Sequence, residues 1–275
     1  METLQATQPP KAPIKIVFFD IDDTLYMKKT ETIPSSIFQQ VIPRLKLNNI
    51  IPAIATGRTY SAFPEALKPL INSGAFELFV TTNGQYNLYK GKVISQYPLS
   101  TERVERIIQK FQALNIEYAF VCPEQVAVSK DSPEIQEALL PIKSDYLVDP
   151  DYYLNHTVLQ MLAFFPEERL QEVIDADVLE DDLKEVRWHS YSVDILAKEN
   201  SKARGIKDVL QYLELDIENA MAFGDGLNDL EMLSSVGYGV AMGNAENELK
   251  AVANFVTLPI DDEGILYALE KLEVI

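Results

Sequence analysis

Ile16-Val-Phe-Phe-Asp20-Ile-Asp22-Asp23-Thr24-Leu25 is an apolar run that stops abruptly at two carboxylates separated by one residue. Such a run near the amino terminus reads as a buried strand, so Asp20 and Asp22 emerge at its carboxyl end, where open α/β sheets place their ligands. Side chains alternate along extended backbone, which puts the two carboxylates on one face while Ile21 turns inward. Carboxylates about 4 Å apart repel by roughly 4 kcal/mol at an effective dielectric of 20, so the pair asks for a cation. An all-oxygen ligand set of this kind suits Mg²⁺. The plain alternative is a strand-to-loop turn with solvated aspartates.

Three later stretches weigh against that alternative. Ile51-Pro-Ala-Ile-Ala-Thr56-Gly57-Arg58 is a second apolar run, ending in a hydroxyl, a glycine and a base. Thr56 and the amides after it suit a phosphate oxygen, because Gly57 lets backbone approach closely and a following helix presents unpaired N–H groups. Ala220-Met-Ala-Phe-Gly224-Asp225-Gly226-Leu227-Asn228-Asp229 repeats the pattern with more polar groups. A buried strand delivers Asp225 to the sheet end that holds Asp20, and Asn228 and Asp229 sit where a helix begins. Capping accounts for either of these two residues but not for the cluster. Lys202 opens a segment in which Ile206, Val209, Leu210 and Leu213 recur at helical spacing. A lysine at a helix entrance opposes the macrodipole, so a nearby anion would explain it, although a surface lysine is the simpler reading of that residue alone.

Taken in order, Asp20-Ile-Asp22-Asp23-Thr24, Thr56-Gly57-Arg58, Lys202 and Gly224-Asp225-Gly226-Leu227-Asn228-Asp229 resemble the haloacid dehalogenase superfamily of phosphohydrolases. Within it the chain is most similar to the Cof-type group, which carries a large C2B-like cap inserted after the second motif. Thr82-Asn83-Gly84 also looks like that group's strand end before the cap. Two departures stand out: Asp23 occupies a position where many members have glycine, and Ala203 rather than glycine follows Lys202, the next glycine being Gly205.

The resemblance implies a Mg²⁺-dependent phosphatase acting on a small phosphorylated metabolite, with sugar phosphates as the leading class. Asp20 would be the nucleophile and Asp22 the general acid and base. Mg²⁺ would take the carboxylates of Asp20 and Asp225 and the backbone carbonyl of Asp22. Ile21, Thr56, Gly57, Lys202 and Asn228 would bind phosphate, with Asp229, Asn83 and Arg58 in support. A phosphotransferase or phosphomutase would use the same intermediate, and a metabolite-binding protein without activity is the alternative from another class.

The 275 residues are 47% hydrophobic, enough for one large or two modest domains of a soluble protein. With 24 Lys and Arg against 42 Asp and Glu the net charge is −18, which argues against nucleic acid or an anionic membrane as a partner. An anionic substrate must then be held by local charge. Cys122 is the sole cysteine; it reads as a buried filler, excludes an internal disulfide and is compatible with the expected cytoplasmic location. His156 and His189 form no zinc pattern. No stretch reaches the ~20 apolar residues of a membrane span, and residues 1–13, with three prolines, read as a flexible leader. The oligomeric state is left open.

Strands alternating with helices imply a doubly wound parallel sheet, a Rossmann-like core, with an inserted α/β cap domain. Asp20 and Thr56 are already bridged by one helix, expected over 33–47, and one strand. The long interval from Thr56 to Lys202 must therefore hold the extra domain. The expected division is a core of 1–84 with 192–275 and a cap of 85–191. A helix over 61–71 and a strand over 193–197 are assigned to the core, and a hairpin over 86–97 turning at Lys90-Gly91 opens the cap.

Overall fold

The computed structural model describes residues 9–275, so the first eight residues of the expected leader lie outside it. It divides into two compact units, one running to Gly57 and including Pro64–Ser95 and Ser201–Ile275, the other made of Arg58–Phe63 and Gln96–Asn200.

Strands β1 (Ile16–Phe19), β2 (Ile51–Ala55), β3 (Leu78–Thr81), β4 (Tyr86–Tyr89) and β5 (Lys92–Gln96) belong to the first unit. Strands β6 (Glu117–Val121), β7 (Val126–Val128), β8 (Leu147–Val148), β9 (Gln160–Phe164), β10 (Leu183–His189) and β11 (Ser192–Ala197) belong to the second. The chain then returns to the first unit for β12 (Ala220–Gly224), β13 (Tyr238–Ala241) and β14 (Phe255–Val256).

The first sheet has the order β14-β13-β12-β1-β2-β3-β4-β5. Its strands from β14 to β3 are parallel, and β4 runs antiparallel to β3. In β1, β3, β12 and β13 every residue is buried, as expected of strands covered on both faces. Phe19 stacks on Phe223 with ring centroids 5.4 Å apart, joining the ends of two neighbouring strands. From β1 the chain moves outward through β2 and β3, and it later returns to the other side of β1 with β12. The order reverses there, so the carboxyl ends of β1 and β12 form the crevice where ligands collect in such sheets.

The second sheet, β10-β11-β9-β6-β7-β8, is antiparallel apart from the β7–β8 pair. Its two faces are read off the period of two along each strand. Tyr118, Phe120, Met161, Ala163, Val193 and Ile195 join a core with Ile107, Phe111 and Val173, whereas Ala119, Val121, Leu162 and Phe164 pack with Ile135, Ala138 and Leu139. Cys122 is fully buried in the first of these cores, and burial pushes its thiol up to about 12.

The junctions differ from the expected division. The hairpin turns at Lys90 and Gly91, both left-handed, but its strands extend the first sheet because β3 has a free edge that β4 fills. Conversely β11 pairs with β9 and β10 in the second sheet. Proline explains two local departures. The expected 33–47 helix contains a wide turn at Ile37–Val41 before regular helix Ile42–Leu47, and this accommodates Pro43, which lacks a donor and crowds the preceding turn. The expected 61–71 helix is broken at Pro64 into short turns and a single helical segment Lys68–Asn72. A carboxyl-terminal helix, Gly264–Lys271, adds to the expected elements.

Among the described residues no helix is long and apolar enough to cross a membrane.

Candidate active site

Asp20 is the first residue beyond β1 and is 5% exposed. Its amide donates to the Phe223 carbonyl at 3.0 Å, continuing the parallel ladder to the last turn before the site. The chain then winds tightly, the amides of Leu25 and Tyr26 both donating to the Ile21 carbonyl. Ile21 itself is fully buried, so its side chain points into the core as the alternation requires. Asp22 and Asp23 remain partly exposed on this turn. Thr24 is buried and its hydroxyl donates to Asp225 Oδ1 at 3.0 Å.

Lys202 opens the helix Lys202–Tyr212, which is capped by the Ser201 hydroxyl accepting from the Arg204 amide. Its ammonium is buried and donates to Asp20 Oδ1 and to Asp229 Oδ1, each at 2.6 Å. The helix can approach this closely because two glycines face each other. Gly84, at φ 81°, and Gly205 lie in backbone contact, and a Cβ on Gly84 would stand 2.3 Å from the Ser201 carbonyl oxygen. A Cβ on Gly205 would stand 2.6 Å from Val80 Cγ1 and 2.7 Å from Gly84 Cα. Gly205 thus provides the close approach, so Ala203 beside the lysine costs the site nothing.

Asp229 is fully buried and spends both carboxylate oxygens on protein groups. Oδ1 takes the Lys202 ammonium, while Oδ2 accepts from the Asp225 and Gly226 amides at 3.1 Å each. It therefore holds the loop that presents Asp225. Suitably placed oxygens of Asp20, Asp225 and Asp229 lie within 4.8 Å of one another.

Three carboxylates around one ammonium leave a surplus of negative charge. Burial raises the Asp20 carboxyl well above the usual range; Lys202 opposes this, and Asp229, Asp22 and Asp225 add to it. Burial and Asp229 likewise push Asp225 up to about 7, against the hydrogen bond from Thr24. Burial alone would lower Lys202, but the charges and hydrogen bonds of Asp20 and Asp229 outweigh it and raise the ammonium above its ordinary range. Such a donor set, hard and anionic, fits a divalent cation. With three of its acceptor positions taken by protein donors, Asp229 has less to offer a cation than Asp20 and Asp225.

Thr56 is buried at the end of β2, its amide donating to the Val80 carbonyl and its carbonyl accepting from the Asn83 amide. Gly57 follows, and a Cβ there would sit 3.2 Å from Asn83 Oδ1 and 3.7 Å from Asn228 Nδ2. Two side-chain amides thus converge over this glycine, Asn83 from the strand end after β3 and the exposed Asn228 from the short turn Leu227–Asp229. Arg58 is placed differently. It begins the Arg58–Phe63 segment of the second unit, and its guanidinium donates to the Ala62 carbonyl at 2.9 Å.

The other expected site residues, Asp20, Ile21, Asp22, Thr56, Gly57, Asn83, Lys202, Asp225, Asn228 and Asp229, all belong to the first unit. Thr24 was quoted in the first motif without a part to play; a hydroxyl four residues after Asp20 was the available signal. Asn244, whose amide binds the Asp23 carbonyl, had no local signal.

The haloacid dehalogenase-like hydrolase family model matches residues 17–269. The Bacillus subtilis (strain 168) protein YkrA, named provisionally as a phosphatase, is 37% identical over 260 residues, which cover 94% of this chain and 97% of that one. A crystal structure of a hypothetical protein from Geobacillus kaustophilus HTA426 is 39% identical, with a TM-score of 0.85 over 95% of this chain and all of that one. The subclass IIB sugar phosphatase BT4131 superposes with a TM-score of 0.83 at 29% identity, again over 95% of this chain and all of that one. With these matches along nearly its whole length, the chain belongs to the haloacid dehalogenase-like hydrolase family, as an enzyme of the phosphatase kind.

Proposed function

We propose that this phosphatase is Mg²⁺-dependent and hydrolyses a small phosphorylated metabolite, with sugar phosphates the leading class, through an aspartyl-phosphate on Asp20. The observation that carries the reading is the buried contact of 2.6 Å between Lys202 Nζ and Asp20 Oδ1 beside the Asp225 carboxylate. A carboxylate kept in a dry site next to a fixed cation suits attack on an anion. The sugar-phosphate preference is supported by the likeness to BT4131, which is itself a sugar phosphatase.

In the first step an Asp20 oxygen forms a bond to phosphorus, the bond from phosphorus to the leaving oxygen breaks, and Asp22 gives that oxygen its proton. In the second, water attacks the aspartyl-phosphate, Asp22 takes its proton, and the phosphorus–Asp20 bond breaks to release inorganic phosphate. Lys202, the Thr56 hydroxyl, Asn228 and the backbone amides of Ile21 and Gly57 hold the phosphoryl oxygens as charge spreads over them. Asp20, Asp225 and the Asp22 carbonyl would hold Mg²⁺, which when bound supplies Lewis-acid charge that keeps Asp20 ionised and offsets its repulsion from the substrate. Asp229 orients Lys202 and the Asp225 loop, and Asn83 braces Gly57.

The test is steady-state hydrolysis across sugar phosphates, nucleotides, flavin and pyridoxal phosphates, with and without chelator, in ¹⁸O-labelled water. Mg²⁺-restored release of phosphate carrying the label, fastest on sugar phosphates, is the expected result. Transfer of the phosphoryl group to a second alcohol without label would make the protein a phosphotransferase or phosphomutase. Binding without turnover would make it a metabolite-binding protein.

A further inference from the structure

Asp23 stands in the first motif, yet these steps give it no part. Its backbone is left-handed, with φ 53°, a region that glycine enters freely and other residues at some cost. Each of its polar groups has a partner. The amide donates to the Tyr26 carbonyl at 2.7 Å, and the carbonyl accepts from Asn244 Nδ2 at 2.9 Å. Oδ1 accepts from the Lys28 amide at 3.1 Å, and Oδ2 pairs with the Lys28 ammonium at 2.9 Å. Asn244 is itself fixed, since its Oδ1 accepts from the Ile260 amide at 3.0 Å.

The position of this clamp matters more than its strength. The Lys28 and Asp23 side chains are 57% and 33% exposed, and pairs so open to water contribute only about 0–1 kcal/mol to folding. Yet the kink stands between Asp22 and Thr24, the residue that grips Asp225. Relaxing it would turn the Asp22 side chain before it unfolded anything.

We propose that Asp23 is a positioning residue: the grip of Lys28 and Asn244 on it fixes the left-handed kink that aims the Asp22 carboxyl at the leaving-group oxygen. Lys28 also offsets the Asp23 charge near the Asp225 carboxylate. The inference rests on the reading of Asp22 as general acid.

The experiment compares kcat for an alkyl phosphate, whose leaving oxygen needs a proton, with kcat for 4-nitrophenyl phosphate, whose leaving oxygen does not. Asp22→Asn serves as the reference. Asp23→Gly can still enter the left-handed region but loses both carboxylate contacts, so nothing on its side chain holds the kink, whereas Lys28→Met removes the ammonium from an exposed position. Each should lower the alkyl-to-aryl kcat ratio by about tenfold, with KM for both substrates within about twofold and melting temperature nearly constant. Asp23→Asn, which tolerates the same φ and keeps an acceptor for the Lys28 amide, should recover most of the ratio. The double variant Asp23→Gly with Lys28→Met should be no worse than Asp23→Gly alone. A parental ratio in folded Asp23→Gly and Lys28→Met, or an equal loss on both substrates, would overturn the inference while leaving the reading of Asp22 intact. An Asp22→Asn variant that lowers both rates equally would remove that reading, and the inference with it.

Discussion

Lys202 Nζ lies 2.6 Å from Asp20 Oδ1, joining residues 182 positions apart at a strand end and a helix entrance, and both are buried. The same ammonium lies 2.6 Å from the fully buried Asp229. One cation thus pairs with both the candidate nucleophile and the carboxylate that holds the Asp225 loop, which couples the chemistry of the site to its stability.

Lys202→Met should therefore abolish turnover and also destabilise the protein by about 3–5 kcal/mol, the cost of leaving buried carboxylates without a countercharge. Urea titration at neutral pH measures this. Adding Asp229→Asn should recover part of the stability and none of the activity. A stability loss below about 1 kcal/mol in the single variant would show that the buried pair contributes little.

Asp20→Asn should have the opposite thermal signature. The amide keeps the shape but cannot attack phosphorus, so kcat should fall by at least about a thousandfold. Lys202 retains Asp229 as its partner, and one of the crowded charges is gone, so the melting temperature should hold or rise. Circular dichroism melts alongside kinetics make the comparison. A marked fall in melting temperature would mean that the Asp20 charge is needed for folding.

Mg²⁺ should raise the melting temperature of the metal-stripped protein in proportion to the logarithm of its concentration above the dissociation constant. Asp225→Ala should remove most of that shift, because Asp229 already accepts from Lys202 and from the Asp225 and Gly226 amides. An undiminished shift in Asp225→Ala would place the ion elsewhere.

Asp194 gives a pH prediction for the second unit. It lies on β11 near Gln160 and Trp188; burial pushes its carboxyl up to about 7, against the opposing pull of these neutral polar neighbours. Because the folded value lies above the unfolded value of about 3.9, the folded state binds more protons between pH 4 and 7. This contribution is present in full below about pH 4 and is lost as pH rises to 7. Asp194→Asn should accordingly gain roughly 2–4 kcal/mol relative to the parent between pH 4 and 8, read from unfolding midpoints across that range. A pH-independent difference would remove Asp194 as the titrating group.

Gly205→Ala should cost about 2–4 kcal/mol and lower kcat, since the new methyl group would meet Val80 Cγ1 and Gly84 Cα at under 3 Å and push the helix entrance away from β3. Calorimetry and kinetics on the same sample test both halves. An unaltered melting temperature would show that the two backbones can separate without penalty.

The sequence by itself determined which residues end the buried strands. Runs such as Ile16–Phe19 and Met221–Gly224 are apolar throughout because parallel strands are covered on both faces, so their polar terminators announce the site without knowledge of the fold. The Lys90-Gly91 turn was legible for a similar reason, since left-handed backbone is a local requirement. Only the tertiary structure decided which sheet that hairpin joins and that β11 leaves the core for the second sheet, because strand pairing depends on edges contributed by distant residues. The carboxyl-terminal helix carries Ile265, Ala268, Leu269 and Leu272 at helical spacing, all four buried, but so short a pattern does not by itself separate a helix from a loop. The contacts of Thr24 with Asp225, Asn244 with Asp23 and Lys202 with both aspartates likewise needed the fold. Their partners lie far apart in the chain, and a side chain carries no sign of which distant group it will meet once the backbone has closed.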